Sequence, residues 1–162
     1  METSVLLGEM GAGLAMGMAA LGSSLGVGAA GKAAAGAWAK DAKAGRPLNF
    51  SYIILTGMPL SQTIYAFVFV FIALKDSIIG DNALAQTPIL AVHGGTFFGL
   101  CIAVGIAEML SAWMQGAIGA SACRSLSESD GKGLANMIIA MGMAETVGIF
   151  GFVFPMLIAP TV

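Results

Sequence analysis

Apolar residues in this chain come in runs far longer than the alternating or amphipathic stretches of a small water-soluble core, and only short polar breaks separate them. The first run extends from about Val5 to Ala39, the second from Tyr52 to Leu74, the third from Pro88 to Cys123 and the fourth from Leu134 to Ala159. Each is long enough to cross a bilayer as a helix, which needs about 20 residues. Runs one and three, with roughly 35 residues each, would make helices of ~50 Å against a hydrocarbon core of ~30 Å, so they must tilt or project. The pattern predicts an all-α membrane protein with four transmembrane helices, arranged as two fused hairpins over residues 1–80 and 81–162.

Composition supports this reading. Of the 162 residues, 57% are hydrophobic and 10% charged, and the mean hydropathy is +0.89. A soluble domain carries about 25% charged residues. The opening Met1-Glu2-Thr3-Ser4-Val5 has no basic stretch before the apolar run, so that run is expected to be a permanent span rather than a cleaved signal. Cys101 and Cys123 would lie roughly 33 Å apart along one helix, beyond disulfide reach, and are expected as free thiols.

Charge placement suggests an orientation. Lys32, Lys40, Lys43, Arg46, Arg124 and Lys132 lie in or near the first and third connections, whereas Lys75 lies at the other end with Glu2, Glu9, Asp76 and Asp81. The positive-inside rule then puts connections one and three in the cytoplasm and both termini outside. Lys32 falls inside run one, two turns before Lys40; either it snorkels to the interface or it serves a site.

The two halves resemble each other. A shift of 85 residues aligns Ile53, Ile54, Gly57, Met58, Ile64 and Phe67-Val68-Phe69 with identical residues of run four, and a shift of 83 does nearly as well. A duplicated hairpin follows from either register. Run one is crowded with glycine, including the pairs Gly13/Gly17 and Gly22/Gly26, which let helix backbones approach closely in lipid. Glycines along the whole run suggest an inner helix of a symmetric assembly; packing within one four-helix monomer is the alternative.

Candidate chemistry centres on Glu145, the single charge in run four. A carboxylate at mid-membrane costs at least ~2.5–3.5 kcal/mol on insertion scales, so a binding or relay role is the default reading, against a purely structural hydrogen bond. Met58, Ser61, Gln62 and Tyr65 share one face of run two, beside Pro59, which can open a backbone carbonyl. Glu108, Ser111 and Gln115 share one face of run three, and Thr146 follows Glu145. Gln115 lies eleven residues before Leu126, Glu145 twelve after Gly133 and Gln62 thirteen after Asn49, so all three reach similar depth. One carboxylate with amide and hydroxyl oxygens suits a hard cation, Na+ in preference to H+. Glu108 is a second titrating group, part of an access path, or a protonated structural residue. Trp38 and Trp113 are expected towards the cytoplasmic ends, where interfacial tryptophans sit.

These motifs resemble the proteolipid rotor-ring subunit, K or c, of V-type and A/V-type rotary ATPases. Gln115-Gly116 with Glu145-Thr146, and Pro59-Leu60-Ser61-Gln62-Thr63-Ile64-Tyr65, are similar to the sodium-translocating members, with Ser61 where threonine is expected. The resemblance implies an Na+ site at Glu145, Gln115, Gln62 and Ser61 with the Met58 carbonyl, and Tyr65 and Thr146 as carboxylate partners. It assigns no role to Glu108 or Lys32. It implies a homo-oligomeric ring in the lipid bilayer of a prokaryotic cell. Its partners would be a stator subunit bearing an arginine and the central-stalk subunits; neither an organic cofactor nor nucleic acid is expected. With no GxxxxGK[ST] motif the chain is not expected to hydrolyse ATP itself. A four-helix proton-coupled secondary transporter is the rival reading, and would need a substrate cavity at midplane.

Overall fold

A computed structural model describes residues 2–78 and 83–160. Helix α1 spans Glu2–Lys43; α2, Ser51–Gly57, leads through a 3-10 turn at Met58–Leu60 into α3, Ser61–Ile78; α4 spans Ala83–Glu128 and α5 Leu134–Ile158. No strand occurs among the described residues. Four helical segments are long and apolar enough to cross a membrane: Glu2–Lys43, Ser51–Lys75, Ile89–Glu128 and Leu134–Ile158. The expected all-α, four-span architecture is therefore present. The division between residues 80 and 81 lies outside the described residues.

Helices α1 and α4, of 42 and 46 residues, are about 63 and 69 Å long and exceed any bilayer. They lie against each other in parallel: Gly11 meets Phe98 and Cys101, Gly22 meets Met109, Gly26 meets Ala112, and Gly116 meets Gly26. At Gly22, Gly26 and Gly116 a methyl group would overlap the backbone of the facing helix. Glycine lets the two backbones touch, which in lipid substitutes for the missing hydrophobic drive between helices. Gly13, Gly17, Gly28 and Gly36 have nothing within 4 Å. The glycine wall thus has two uses: Gly22/Gly26 packs inside the chain, while Gly13/Gly17 faces outward.

The α2–α3 segment runs antiparallel beside α1, with Thr56 near Gly31, Pro59 near Gly26, and Thr63 donating to Ser23 at 2.8 Å. Pro59 cannot donate a backbone hydrogen bond, and the segment tightens to the 3-10 turn there instead of continuing as one helix. Helix α5 runs antiparallel to α4, with Gly148 against Glu108 and Ser111, and Gly151 against Ala107. It starts after Gly133, whose φ of 87° is left-handed.

Buried apolar side chains form two clusters. One contains Ala12, Phe69, Phe97 and Cys101; the other, nearer connections one and three, contains Tyr52, Leu55, Leu126 and Met141. Cys101 and Cys123 are both buried and free, as expected. Large apolar side chains such as Ile64, Ile139, Val147 and Leu157 point outward, as lipid-facing residues do.

A polar clasp closes the end bearing the two described connections. Asp41 is 4% exposed. Its carboxylate accepts from Tyr52 Oη at 2.8 Å, Ser127 Oγ at 2.9 Å and Arg46 Nη2 at 2.5 Å. Arg46 also pairs with Asp130. One arginine therefore ties the α1–α2 connection to the α4–α5 connection.

Candidate ion-binding site

Between the two apolar clusters lies a layer of buried polar side chains: Gln62, Glu108, Ser111 and Gln115. Glu145 joins it from α5, at the middle of a 25-residue helix. The turn at Met58–Leu60 sets the start of α3 so that Ser61, Gln62 and Tyr65 look towards α4 and α5. Side chains from three helices thus meet at one depth.

Three donors hold the Glu145 carboxylate. Ser61 Oγ donates to Oε1 at 2.7 Å and Tyr65 Oη donates to the same oxygen at 2.9 Å. Gln115 Nε2 donates to Oε2 at 3.3 Å. The Tyr65 ring stacks on Phe152, with centroids 6.1 Å apart, which fixes the direction of its hydroxyl. Three donors on one carboxylate compensate part of its transfer from water.

Acceptor oxygens surround Ser61. Its Oγ lies 3.2 Å from the Met58 carbonyl and 3.2 Å from Gln62 Oε1. Met58 O, Ser61 Oγ, Gln62 Oε1 and Glu145 Oε1 thus form one oxygen-rich corner. Gln115 stands differently. Its Nε2 faces Glu145 and the Met141 carbonyl, at 3.1 Å, while its Oε1 accepts from Gln62 Nε2 at 3.0 Å. To offer an oxygen to a cation its amide would have to turn over. A side-chain amide has both an acceptor and a donor end, so either orientation is chemically available.

Some expected residues stand apart. Thr146 does not partner the carboxylate; its hydroxyl donates to the Gly142 carbonyl one turn back at 2.8 Å, the usual alternative for a helical threonine. Lys32 is absent from the layer and lines a cleft with Lys40, Arg124 and Glu128. Trp113 lies two residues from Gln115, hence at the depth of the site rather than at an interface, and is 47% exposed. Glu108 is fully buried, and neither carboxyl oxygen has a hydrogen-bond partner among the described residues. It lies where Gly148 leaves room: a methyl there would come 2.8 Å from Glu108 Oε2 and 2.8 Å from Ser111 Oγ.

Ser111 is the residue that sequence reasoning placed on the right face without giving it a task. It accepts from Gln62 Nε2 at 3.2 Å and donates to the Ala144 carbonyl at 2.8 Å, so it braces both Gln62 and the turn before Glu145. Its position one turn from Gln115 was the available signal.

Comparison with known proteins gives an independent view. The family described as the C subunit of ATP synthase matches residues 10–73 and 98–158. Over 159 residues the chain is 30% identical to the A-type ATP synthase subunit K of Methanocaldococcus jannaschii, an alignment covering 98% of this chain and 64% of that relative. The chain therefore spans a little under two thirds of the length of the relative it matches. The matched segments take in every residue that touches the Glu145 carboxylate, and Glu145 itself. On these matches the chain belongs to the family of ATP synthase C subunits, with which its four long apolar helices are consistent.

Proposed function

We propose that the chain is a rotor-ring subunit of a rotary ATPase that carries one cation per chain on Glu145, and that this cation is Na+. The observation that carries the reading is the Glu145 carboxylate itself, at mid-helix, with Ser61, Tyr65 and Gln115 converging on it from two other spans. Na+ would sit at the corner formed by Glu145, Ser61 Oγ, Gln62 Oε1 and the Met58 carbonyl, with Gln115 turning its amide to complete the oxygen set. A single positive charge on a single carboxylate leaves no net charge to bury, which is why neutral amides serve better here than a second acid. Tyr65 would hold the carboxylate in its loaded geometry.

Several copies would form a closed ring, with α1 and α4 inside. A stator subunit's arginine would displace the ion into a half-channel, and central-stalk subunits would couple rotation to ATP hydrolysis or synthesis. Moving one charge through 100 mV involves ~2.3 kcal/mol, so several chains must act per ATP. Connections one and three, which carry the basic residues, would face the cytoplasm of a prokaryotic cell.

Carbodiimide labelling of Glu145 tests the ion choice, because the reagent attacks the protonated carboxyl and a bound ion protects it. Protection should rise with Na+ and need more Na+ at lower pH. Labelling indifferent to Na+ across a wide pH range would make this a proton-carrying ring, with the glutamines as hydrogen-bond partners only.

A further inference from the structure

The oxygen-rich corner beside Glu145 straddles a break in the second span. The Met58 carbonyl stands at the end of α2, whereas Ser61, Gln62 and Tyr65 belong to α3. Between the two helices the segment tightens to a 3-10 turn, and Pro59 supplies no backbone donor. The Met58 carbonyl accepts there from the Ser61 N–H, three residues on, and from Ser61 Oγ at 3.2 Å. Proline breaks let the two halves of a helix take separate directions. Pro59 itself packs on Gly26 of α1, which pins the break in place. The aim of the Met58 carbonyl is therefore set by whatever holds α2.

Helix α2 is held near its start. Its seven residues are too few to be stable alone. Tyr52 and Leu55 are its buried side chains. Leu55 lies in the apolar cluster with Leu126 and Met141, a contact that resists tilting but has little directional preference. Tyr52 is different. Its ring meets Trp38 edge-on, with centroids 5.8 Å apart, and its hydroxyl donates to Asp41 Oδ2 at 2.8 Å. A hydrogen bond is directional, so it fixes rotation as well as depth. The Thr56 hydroxyl donates within α2, to the Tyr52 carbonyl, and the Ser51 N–H donates to Asn49 in the adjoining connection. Among the described residues, Tyr52 is thus the side chain of α2 that is hydrogen-bonded to another helix. Met58 follows it by six residues, about 9 Å along the same axis, so a turn of α2 at Tyr52 is also a turn of the Met58 carbonyl.

We propose that Tyr52 is a positioning residue for the ion corner. By its bond to Asp41 it fixes the rotation of α2, and so the aim of the Met58 carbonyl, which couples ion affinity to the polar clasp at the end of the bundle. The inference rests on the reading of the Met58 carbonyl as part of that corner.

Ser127 supplies a matched contrast. Its Oγ donates to the same Asp41 carboxylate at 2.9 Å, but it stands at the end of α4. That helix is continuous, and its backbone packs directly on α1 at Gly26 and Gly116. Loss of one bond at its end does not turn Gln115, twelve residues earlier and next to Gly116.

The test measures, on the assembled protein in mild detergent, the Na+ that half-protects Glu145 from carbodiimide, together with the thermal-unfolding midpoint. Tyr52→Phe keeps the ring against Trp38 and removes one donor from Asp41; Ser127→Ala removes the other. Both should lower the midpoint by similar amounts. Tyr52→Phe should need about fivefold to tenfold more Na+ than the wild type, while Ser127→Ala stays within about twofold. Should Tyr52→Phe not assemble, Asp41→Asn takes its place: the amide oxygen still accepts from Tyr52 but more weakly, and the requirement should rise about threefold. An unchanged Na+ requirement in the Tyr52 variant, or in its substitute, overturns the assignment, as does an equal rise in Ser127→Ala; either leaves the ion site standing. Wild-type labelling indifferent to Na+ would instead sink the reading of the corner, and the positioning role with it.

Discussion

Replacing Gln115 with leucine asks how much of the site's affinity comes from an amide that the structure shows as a donor. Gln115 Nε2 reaches Glu145 Oε2 at 3.3 Å, just beyond the usual N–H···O range of roughly 2.7–3.2 Å. A hydrogen bond to a charged group contributes ~1.5–3 kcal/mol, and this long one belongs at the lower end. The structural cost elsewhere is small. Gln62 Nε2 keeps Ser111 as a partner at 3.2 Å, and the Met141 carbonyl, which loses the amide, lies in mid-helix with a backbone donor of its own. About 1.5 kcal/mol corresponds to roughly tenfold in affinity. Gln115→Leu is therefore expected to need about ten times more Na+ than the wild type for half-protection of Glu145 from carbodiimide at fixed pH. If Gln115 instead turns to ligate the ion, the donor bond is exchanged for an ion–oxygen contact, and the loss read is that of one ligand. A requirement unchanged within about twofold would refute the reasoning and leave Gln115 as packing.

Other changes probe separate parts of the structure. Tyr65→Phe keeps the stacking on Phe152 and removes one of two donors on Oε1, so it should speed labelling in Na+-free buffer by about fivefold to tenfold, read from labelling rates. Gly26→Ala sets a methyl against the Ala112 carbonyl and should cost ~1–3 kcal/mol, seen as a lower thermal-unfolding midpoint in detergent, whereas Gly17→Ala, with open space before it, should leave that midpoint unchanged. Glu108→Gln removes an acid that has no hydrogen-bond partner among the described residues and should leave Na+ protection of Glu145 within about twofold; a larger shift would show that Glu108 adds charge to the site. Glu145→Gln should assemble normally and lose ion transport in reconstituted vesicles, since it keeps shape and loses the exchangeable charge.

The spans were legible because membrane helices announce themselves by length and apolarity, and the site because a polar residue is costly in lipid and so stands out. Counting residues from the connections was enough to put Gln62, Gln115 and Glu145 at one level, since a straight helix converts sequence distance into depth. What escaped depends on direction rather than depth. Spacing does not say that Thr146 turns its hydroxyl back to Gly142, or that Gln115 presents nitrogen instead of oxygen. The clasp of Asp41, Arg46, Tyr52, Ser127 and Asp130 escaped as well, because it joins residues more than 80 positions apart through connections that have no periodicity. Trp113 was misplaced by habit of type: its position beside Gln115 fixes its depth more firmly than the usual preference of tryptophan for interfaces.

The parallel pairing of α1 with α4 places two like steps side by side, of which only the second bears a carboxylate in the polar layer. Under the proposed rotor role this sets a gear. A ring of such chains would carry one ion for every two hairpins passing the stator, half the number carried if each hairpin were charged. A fixed free energy per revolution would then be divided among fewer ions, and each could be driven against a steeper gradient. Leu60, which stands at the Glu145 position in the 85-residue register and is 55% exposed, is the blank tooth.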